Sequence, residues 1–491
     1  MAERFSFHYL HFNQNRNSDM LKKILLLAAI SLPIFAQSPL QVTGTDHQII
    51  YWAFNHQFAQ AEKLVEEKIT ENPNIPKYYF MKILTQSLKH LADSDQFNFE
   101  KRFDYRRQKN DELIEYTEKV IERFDDIEMT PENQYYLANI YGYLGRMYGL
   151  QKSFMSAFSN AKEGKDLLEE LIEKYPEIYD AYLLLGMFEY YADRLGGVTE
   201  FIAGILGFSG DRTQGLEYLK LAQQKGQLTK PMAEFILGET YFTQEGNPFD
   251  ALWYFNILVK KYPSNKDFYD WCTRILLQLD RLTEAEAMIN NDTKNFTTGF
   301  TKGYFYVKNG EYKKAADLLN ELIEKKDFKW RGAYNNAKLM RAISALFVGK
   351  VFPNLQNELD EEQLVIYNEI KASLTLAKEV FNFATTVGRL GAGMQIEIPQ
   401  IENLPKGGYL ESMYKFYAGV YYERYRDGTN AIKFLTQVAK GKNYFNREAI
   451  EYLIHIYKSY KPTEQQLDEL ENLIDELDDD DLEFSFMDLK K

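Results

Sequence analysis

The chain has 491 residues, a formal net charge of −14 and 45% hydrophobic residues. This length suits two or three ordinary domains or one long array of repeats, and the composition excludes a chain that is disordered in bulk. The negative charge argues against a nucleic-acid partner, because phosphate binding requires clustered Lys and Arg. The single cysteine, Cys272, excludes an internal disulfide and a cysteine metal site, and we expect it to be a small core residue.

The front of the chain carries a predicted export signal. Residues 20–36 are typical of a secretory signal peptide, with two lysines, a short apolar run and the small residue Ala36 at the end. The run is too short for a membrane-spanning helix, which needs about 20 apolar residues. Residues 1–19 do not suit a signal start, so we expect translation to begin at Met20. The sequence therefore predicts an exported protein, periplasmic or associated with an outer membrane.

Residues 47–348 contain a pattern that recurs in register. In its clearest copy, Gly303 and Tyr306 share one face of a predicted helix, which ends at Gly310. Ala315 and Leu319 then lie on one face of a second predicted helix. Further copies in this range include Ala61, Ala251 and Ala285 at the position of Ala315, and a late copy beyond it places Ala431 there. This order resembles the tetratricopeptide repeat, a helix pair of about 34 residues that stacks on its neighbours. The resemblance implies an all-α fold, a right-handed superhelical solenoid of antiparallel helix pairs.

An insertion, residues 192–211, interrupts the array with an apolar, glycine-rich segment. Around it, residues 181–226 include the run GILGFSGDRTQGLEYL, which resembles a segment of the tetratricopeptide repeat 39 group of eukaryotic proteins. The resemblance implies a protein that is not an enzyme, and some members of that group are linked to lipid droplets or protein inclusions. Two interpretations stay open for the insertion. Residues 198–208 either tuck into the concave side of the superhelix, which we favour, or contact a membrane or partner from the surface. Asp193, Arg194, Asp211 and Arg212 are interpreted as salt-bridged or capping residues.

Charged and glycine-rich stretches elsewhere have simple interpretations. Residues 97–107 mix aromatic and basic side chains, and we expect a solvated helix face there rather than contact with anionic lipid or nucleic acid. Residues 362–460 form C-terminal helical repeats, with one long helix over 363–383. Their loop, 388–408, lacks the GK[ST] of a phosphate loop and is predicted to be a surface excursion. Residues 461–491 form an acidic helix and tail, whose carboxylates lack the EF-hand spacing for calcium and are expected to be solvated.

No catalytic motif is recognisable. The six histidines make no HExxH, and no GxSxG is present, so we predict no catalytic residue, no metal and no cofactor. The leading hypothesis is a non-enzymatic exported scaffold that binds a protein or peptide on its concave face. The alternatives are a peripheral membrane, outer-membrane-associated assembly or lipid-related factor that uses the insertion, and an enzyme with an unrecognised carboxylate site. The candidate contact residues are Tyr148, Tyr190, Phe201, Ile205, Phe208, Tyr241, Tyr306 and Tyr422.

Overall fold

The computed structural model describes residues 39–194, 210–352, 354–391, 393–441, 444–477 and 479–490. The chain divides into two compact units, Met1–Pro39 and Leu40–Lys491, and all that follows concerns the second. The predicted signal peptide, the stretch before it and residues 195–209 of the insertion lie outside the described residues. Within the part of the chain that is described, all regular structure is helical, which confirms the predicted all-α class.

The described residues form 23 α-helices, numbered here in chain order. The first seven are α1 (Gly44–Phe54), α2 (Phe58–Glu71), α3 (Pro76–Asp93), α4 (Phe99–Arg123), α5 (Pro131–Leu150), α6 (Phe154–Lys174) and α7 (Ala181–Asp193). The next eight are α8 (Arg212–Lys225), α9 (Lys230–Thr243), α10 (Pro248–Lys261), α11 (Lys266–Gln278), α12 (Leu282–Asn291), α13 (Gly299–Lys308), α14 (Tyr312–Lys325) and α15 (Arg331–Phe347). The last eight are α16 (Leu355–Glu358), α17 (Glu361–Ala372), α18 (Leu374–Arg389), α19 (Tyr409–Arg424), α20 (Gly428–Ala439), α21 (Asn446–Ser459), α22 (Glu464–Leu477) and α23 (Asp480–Lys490).

Side-chain caps and prolines begin many of these helices. At the start of α1, Thr43 accepts from the backbone N–H of Asp46, and the carboxylate of Asp46 accepts from the N–H of Thr43. Pro131 occupies the first turn of α5, where its fixed φ suits a helix start. Asp211 caps α8 by accepting from the N–H of Gln214, as its interpretation as a capping residue predicts. Local sequence therefore sets where these helices begin.

The small residues predicted at helix crossings are buried. The second-helix alanines of the repeat copies have no exposed surface, and they are Ala61, Ala251, Ala285, Ala315 and Ala431. Gly310 follows α13 with a φ of +75°, so the predicted glycine turn is confirmed. Cys272 is also fully buried, which confirms its predicted place in the core. Larger side chains at the alanine positions would hold neighbouring helices apart.

Consecutive helices pack against each other along most of the described chain, as α5 does with α6 and α7 with α8. Some helices also contact the next but one, as α1 contacts α3 and α11 contacts α13. The α5–α6 crossing is especially close, because a Cβ on Gly164 would lie 2.7 Å from the carbonyl oxygen of Ala138. Only glycine allows the two backbones to approach in this way.

The first helices also contact the middle of the chain. The side-chain amide of Asn265 donates to the carbonyl oxygen of Phe54 at 2.7 Å. The backbone N–H of Phe99 donates to the carbonyl oxygen of Phe328 at 2.8 Å. These hydrogen bonds join segments that are far apart in the sequence, so the early helices and the middle of the chain hold each other in place.

A buried ion cluster lies beside these contacts. The carboxylate of Asp95 accepts from Nη2 of Arg102 at 2.5 Å and from Nζ of Lys329 at 2.6 Å. Asp267 accepts from the same lysine at 3.2 Å. Burial, followed by its hydrogen bond with Asp95, raises the pKa of Asp267 to about 7. Burial also acts to raise the pKa of Asp95, but the hydrogen bond with Asp267 and the charge of Lys329 hold it below its usual range.

Asp267→Asn is expected to remove a pH dependence of stability. Because the pKa of Asp267 is raised in the folded state, its contribution to stability is fully present below about pH 4 and is lost as the pH rises towards 7. Between roughly pH 5 and 7.5, we expect the wild-type free energy of unfolding to fall by about 2 kcal/mol more than that of the variant. Urea denaturation at both pH values measures this, and a variant that declines as steeply as the wild type would contradict the assignment of the proton to Asp267.

The predicted single helix over 363–383 is wrong, because the structure contains two helices there. α17 ends at Ala372 and α18 begins at Leu374. Ser373, between them, has a φ of −117° and a ψ of 39°, which is outside the helical region. Buried residues continue at helical spacing across the break, at Ile370 and Ala377, so the apolar pattern did not reveal it.

The prediction of a solvated acidic tail is wrong in part for α23 and the residue before it. Leu482 and Phe486 lie four residues apart on this helix and are buried. Asp481 forms an ion pair with Arg194, and Asp479 forms one with Arg447. Asp480 and Glu483 are exposed, as predicted, but the two apolar residues anchor the helix to the core.

Candidate functional site

A cavity of about 570 Å³ lies among α1, α3, α4, α5, α6, α7 and α9. Its wall is mostly apolar and includes Phe80, Met81, Leu84, Leu184, Met187 and Phe235. Ligand-binding cavities in proteins commonly measure about 300–1,000 Å³ and have mainly hydrophobic walls. The cavity thus has the size and lining of a site for a small apolar molecule or an apolar chain.

Small residues on α5 and α6 leave room for the cavity. Gly149 of α5 and Ala157 and Ala161 of α6 line it. A Cβ on Gly149 would meet only the Cβ of Ala157, at 3.9 Å, so the space beside this glycine is open. The same two helices cross closely at Gly145, where a Cβ would lie 2.8 Å from the carbonyl oxygen of Ala157. The two glycines of α5 therefore have different effects. Gly145 lets α5 and α6 pack closely, and Gly149 leaves space for the cavity.

Charged and phenolic side chains form a distinct part of the wall. Arg106 of α4, Arg146 of α5 and Glu239 of α9 line the cavity, with Tyr143 and Tyr191 beside them. Arg146 and Tyr191 are exposed, so solvent reaches the cavity on this side. We call these five residues the polar mouth. The cavity is consequently amphipathic, with an apolar interior and a polar mouth.

The two arginines of the polar mouth form no ion pair with the carboxylates that the structure describes. Nε of Arg106 donates to the hydroxyl oxygen of Ser94 at 2.9 Å. Among the described residues, no carboxylate lies within ion-pair distance of Arg106 or Arg146. Asp95 is close enough to influence Arg106, but Arg102 and Lys329 already bind its carboxylate oxygens. Positive charge is therefore available at the mouth.

The electrostatics agree with this geometry. Burial, followed by the positive charges of Arg102 and Arg146, lowers the pKa of Arg106 to about 10, so the group stays charged near neutral pH. Burial raises the pKa of Glu239, although Arg146 opposes this shift. Burial also raises the pKa of Tyr143 to about 12. The buried Glu239 carboxyl and the charged Arg106 therefore face the same opening.

A second, smaller cavity of about 390 Å³ lies between the α7–α8 region and α23. Arg194, Arg212 and Asp480 are among its lining residues. Arg212 pairs with Glu245 at 2.9 Å and with Asp481 at 3.2 Å, and Arg194 pairs with Asp481. This confirms the interpretation of Arg194 and Arg212 as salt-bridged residues. Because the cations of this cavity already have protein partners, it is a poorer ligand site than the larger one.

The five tyrosines predicted from the repeat register lie outside the wall of the larger cavity, as far as the described residues show. Tyr190 is fully buried and donates to Glu245. Tyr241 is nearly buried and stacks on the ring of Tyr254 with centroids 5.9 Å apart. Both side chains pack in the core, and little of their surface is available to a partner.

The other predicted contact residues differ in position. Tyr148, Tyr306 and Tyr422 are partly accessible. Tyr148 donates a hydrogen bond to Glu118. The ammonium of Lys314 lies over the ring of Tyr306, and the ring of Tyr422 stacks on that of Phe434. The remaining three candidates lie outside the described residues, and they are Phe201, Ile205 and Phe208.

Sequence reasoning missed the residues of the polar mouth. One signal was present, because Arg106 belongs to the aromatic and basic run 97–107. That run was interpreted as a solvated helix face, whereas Arg102 is buried against Asp95 and Arg106 lines the cavity. Arg146 and Glu239 carry no local signal, since each is a single charge within an otherwise ordinary helix.

No family model matches the sequence, and no curated protein matches it. The resemblance to tetratricopeptide repeats therefore stays a prediction. In the described residues, no helix has the length and apolarity needed to cross a membrane, and no group of three or more His, Cys, Asp or Glu is placed to hold a metal ion.

Proposed function

We propose that this chain is an exported, non-enzymatic binding protein that holds the apolar part of a ligand in the cavity of about 570 Å³. The observation that carries the proposal is the combination of this volume with a wall of apolar side chains and a solvent-accessible polar mouth. The sequence offered a lipid-related role as an alternative that acts through the insertion. We place such a role in the cavity instead, and its apolar wall makes us prefer it to a scaffold for a protein partner. Export rests on the signal-peptide pattern of residues 20–36.

The architecture that we propose for this task is a right-handed superhelix of antiparallel helix pairs, similar to tetratricopeptide repeats. Its support comes from the packing of each helix on the next, the contacts between alternate helices, and the buried alanines of the repeat copies. In such an array the first helices of successive pairs line the concave side. α1, α3, α5 and α7 would then contribute the concave wall, and all four contact the cavity.

Gly149→Phe is expected to weaken the binding of a neutral apolar ligand by at least roughly tenfold, because the ring would occupy cavity volume. The glycine lies inside α5, so replacing it should not reduce helix stability. The measurement is displacement of the neutral fluorescent probe N-phenyl-1-naphthylamine by methyl esters of increasing chain length. In the wild type, affinity should rise by roughly fourfold for each methylene added, until the cavity is full.

Gly332→Phe is the matched control. Gly332 lies in the first turn of α15, is exposed, and has no atom within 4 Å of an added Cβ. This variant should bind the esters as the wild type does. Absence of ester binding by the wild-type chain, or equal binding by Gly149→Phe, would refute the proposal.

A protein scaffold is the second candidate function. The observation that favours it is the partial exposure of Tyr306 and Tyr422 at equivalent repeat positions. Changing both tyrosines to glutamate would abolish capture of a protein partner from a periplasmic extract if the scaffold hypothesis holds. The same variant should leave ester binding unchanged, since neither tyrosine lines the cavity.

A further inference from the structure

Two arginines lie at the mouth of the apolar cavity, and apolar packing does not account for their position there. Arg106 and Arg146 are close enough for the charge of one to lower the pKa of the other. Like charges at this separation repel, and each would be stabilised by an anion placed between them. The apolar wall begins beside them, with Leu88, Phe154 and Met187. The geometry suits a ligand with an anionic end and an apolar body.

In the described part of the chain, no other protein group fills this role. Ser94 accepts from Nε of Arg106, and the two terminal nitrogens of that guanidinium group have no protein acceptor there. The oxygens of Asp95 are bound by Arg102 and Lys329. Glu239 acts on Arg146 electrostatically but lies beyond ion-pair distance. A guanidinium group presents its free N–H donors as a planar fork that matches a carboxylate.

We propose that the cavity binds a free long-chain fatty acid, with its hydrocarbon chain among the apolar side chains and its carboxylate held between Arg106 and Arg146. This inference rests on the proposed function and specifies the chemical class of the ligand. The volume of about 570 Å³ suits one chain of this kind.

A neutral ligand is less suited to this mouth. A bound ester would cover Arg106 and Arg146 without supplying an anion, so part of their hydration would be lost without compensation. A fatty acid replaces that hydration with charge-assisted hydrogen bonds. The acid should therefore bind better than its methyl ester, although the two have the same hydrocarbon chain.

The test compares palmitate with methyl palmitate in the displacement assay, at a pH near 8 where the acid is ionised. The wild type should bind palmitate about tenfold more tightly than the ester. The variants Arg106→Gln and Arg146→Gln should each lose most of this preference, and urea denaturation of both variants checks that they fold. Arg107→Gln is the matched control, because Arg107 is the exposed neighbour of Arg106 and does not line the cavity.

The outcomes separate the two proposals. Binding of neither ligand would overturn the proposed function and this inference with it. Equal binding of acid and ester by the wild type, or an unchanged preference in both arginine variants, would overturn the fatty-acid inference alone and leave the apolar cavity as a site for neutral ligands. A preference that is lost in Arg107→Gln as well would show that the overall charge of the chain, and not the mouth, selects the acid.

Discussion

Arg212→Met is expected to lower the free energy of unfolding by about 3–5 kcal/mol, because it leaves buried charge without a partner. Glu245 is only 2% exposed, and its Oε1 accepts from Nε of Arg212 at 3.0 Å and from the hydroxyl of Tyr190. Nη2 of the same arginine donates to Asp481 at 3.2 Å. The ring of Phe484 lies 4.0 Å from the guanidinium carbon. A methionine preserves much of the volume but neutralises neither carboxylate.

Urea denaturation of the wild type and the variant measures this effect. Lys63→Met is the matched control, since Lys63 pairs with Glu67 at 3.9 Å on an exposed helix face, and its loss should change stability by less than about 0.5 kcal/mol. The double variant Arg212→Met with Glu245→Leu should recover most of the loss, because no charge is then buried at the position of Glu245. Arg212→Met with wild-type stability would mean that this cluster does not hold α7, α8 and α23 together.

Gly145→Ala is expected to destabilise the chain by about 2–3 kcal/mol, even though alanine is the better helix former. The new Cβ would lie 2.8 Å from both the carbonyl oxygen of Ala157 and the backbone nitrogen of Ala161. These are backbone atoms of α6, so they cannot move away without a shift of the whole helix. The strain therefore affects the entire α5–α6 crossing.

Gly149→Ala, one turn along the same helix, provides the contrast. The nearest atom to its new Cβ is 3.9 Å away, so only the gain in helix propensity of up to about 1 kcal/mol remains. Thermal or urea denaturation of the two variants should show changes of opposite sign. Equal changes would indicate that helix propensity, and not the close crossing, decides the effect at both glycines.

Local features of the sequence predicted the helices and their close contacts. The alanines at repeat spacing, Gly310 after α13 and the cap at Asp211 each follow from the geometry of one helix or one turn. Such features depend on residues that are near each other in the chain, so the spacing of apolar residues can predict them. The spacing did not predict the break at Ser373, because it continues from one helix into the next.

The cavity could not be predicted in the same way. Its wall takes side chains from seven helices between α1 and α9, and the empty volume depends on how those helices are placed. Arg146 and Glu239 acquire significance only because α5 and α9 bring them to the same opening. The burial of α23 could not be predicted for a similar reason. Its many carboxylates suggested a solvated tail, and the arginines that pair with Asp481 lie far away in the chain.

The pairing of Asp481 with Arg194 and Arg212 also affects how the chain is made. The two partners are 287 and 269 residues apart, so both arginines leave the ribosome long before the acid that neutralises them. Until that acid is translated, Arg212 has Glu245 alone, and the hydrophobic sites for Leu482 and Phe486 stay uncovered. Folding that proceeds from the N-terminal end would therefore stay incomplete until α23 emerges.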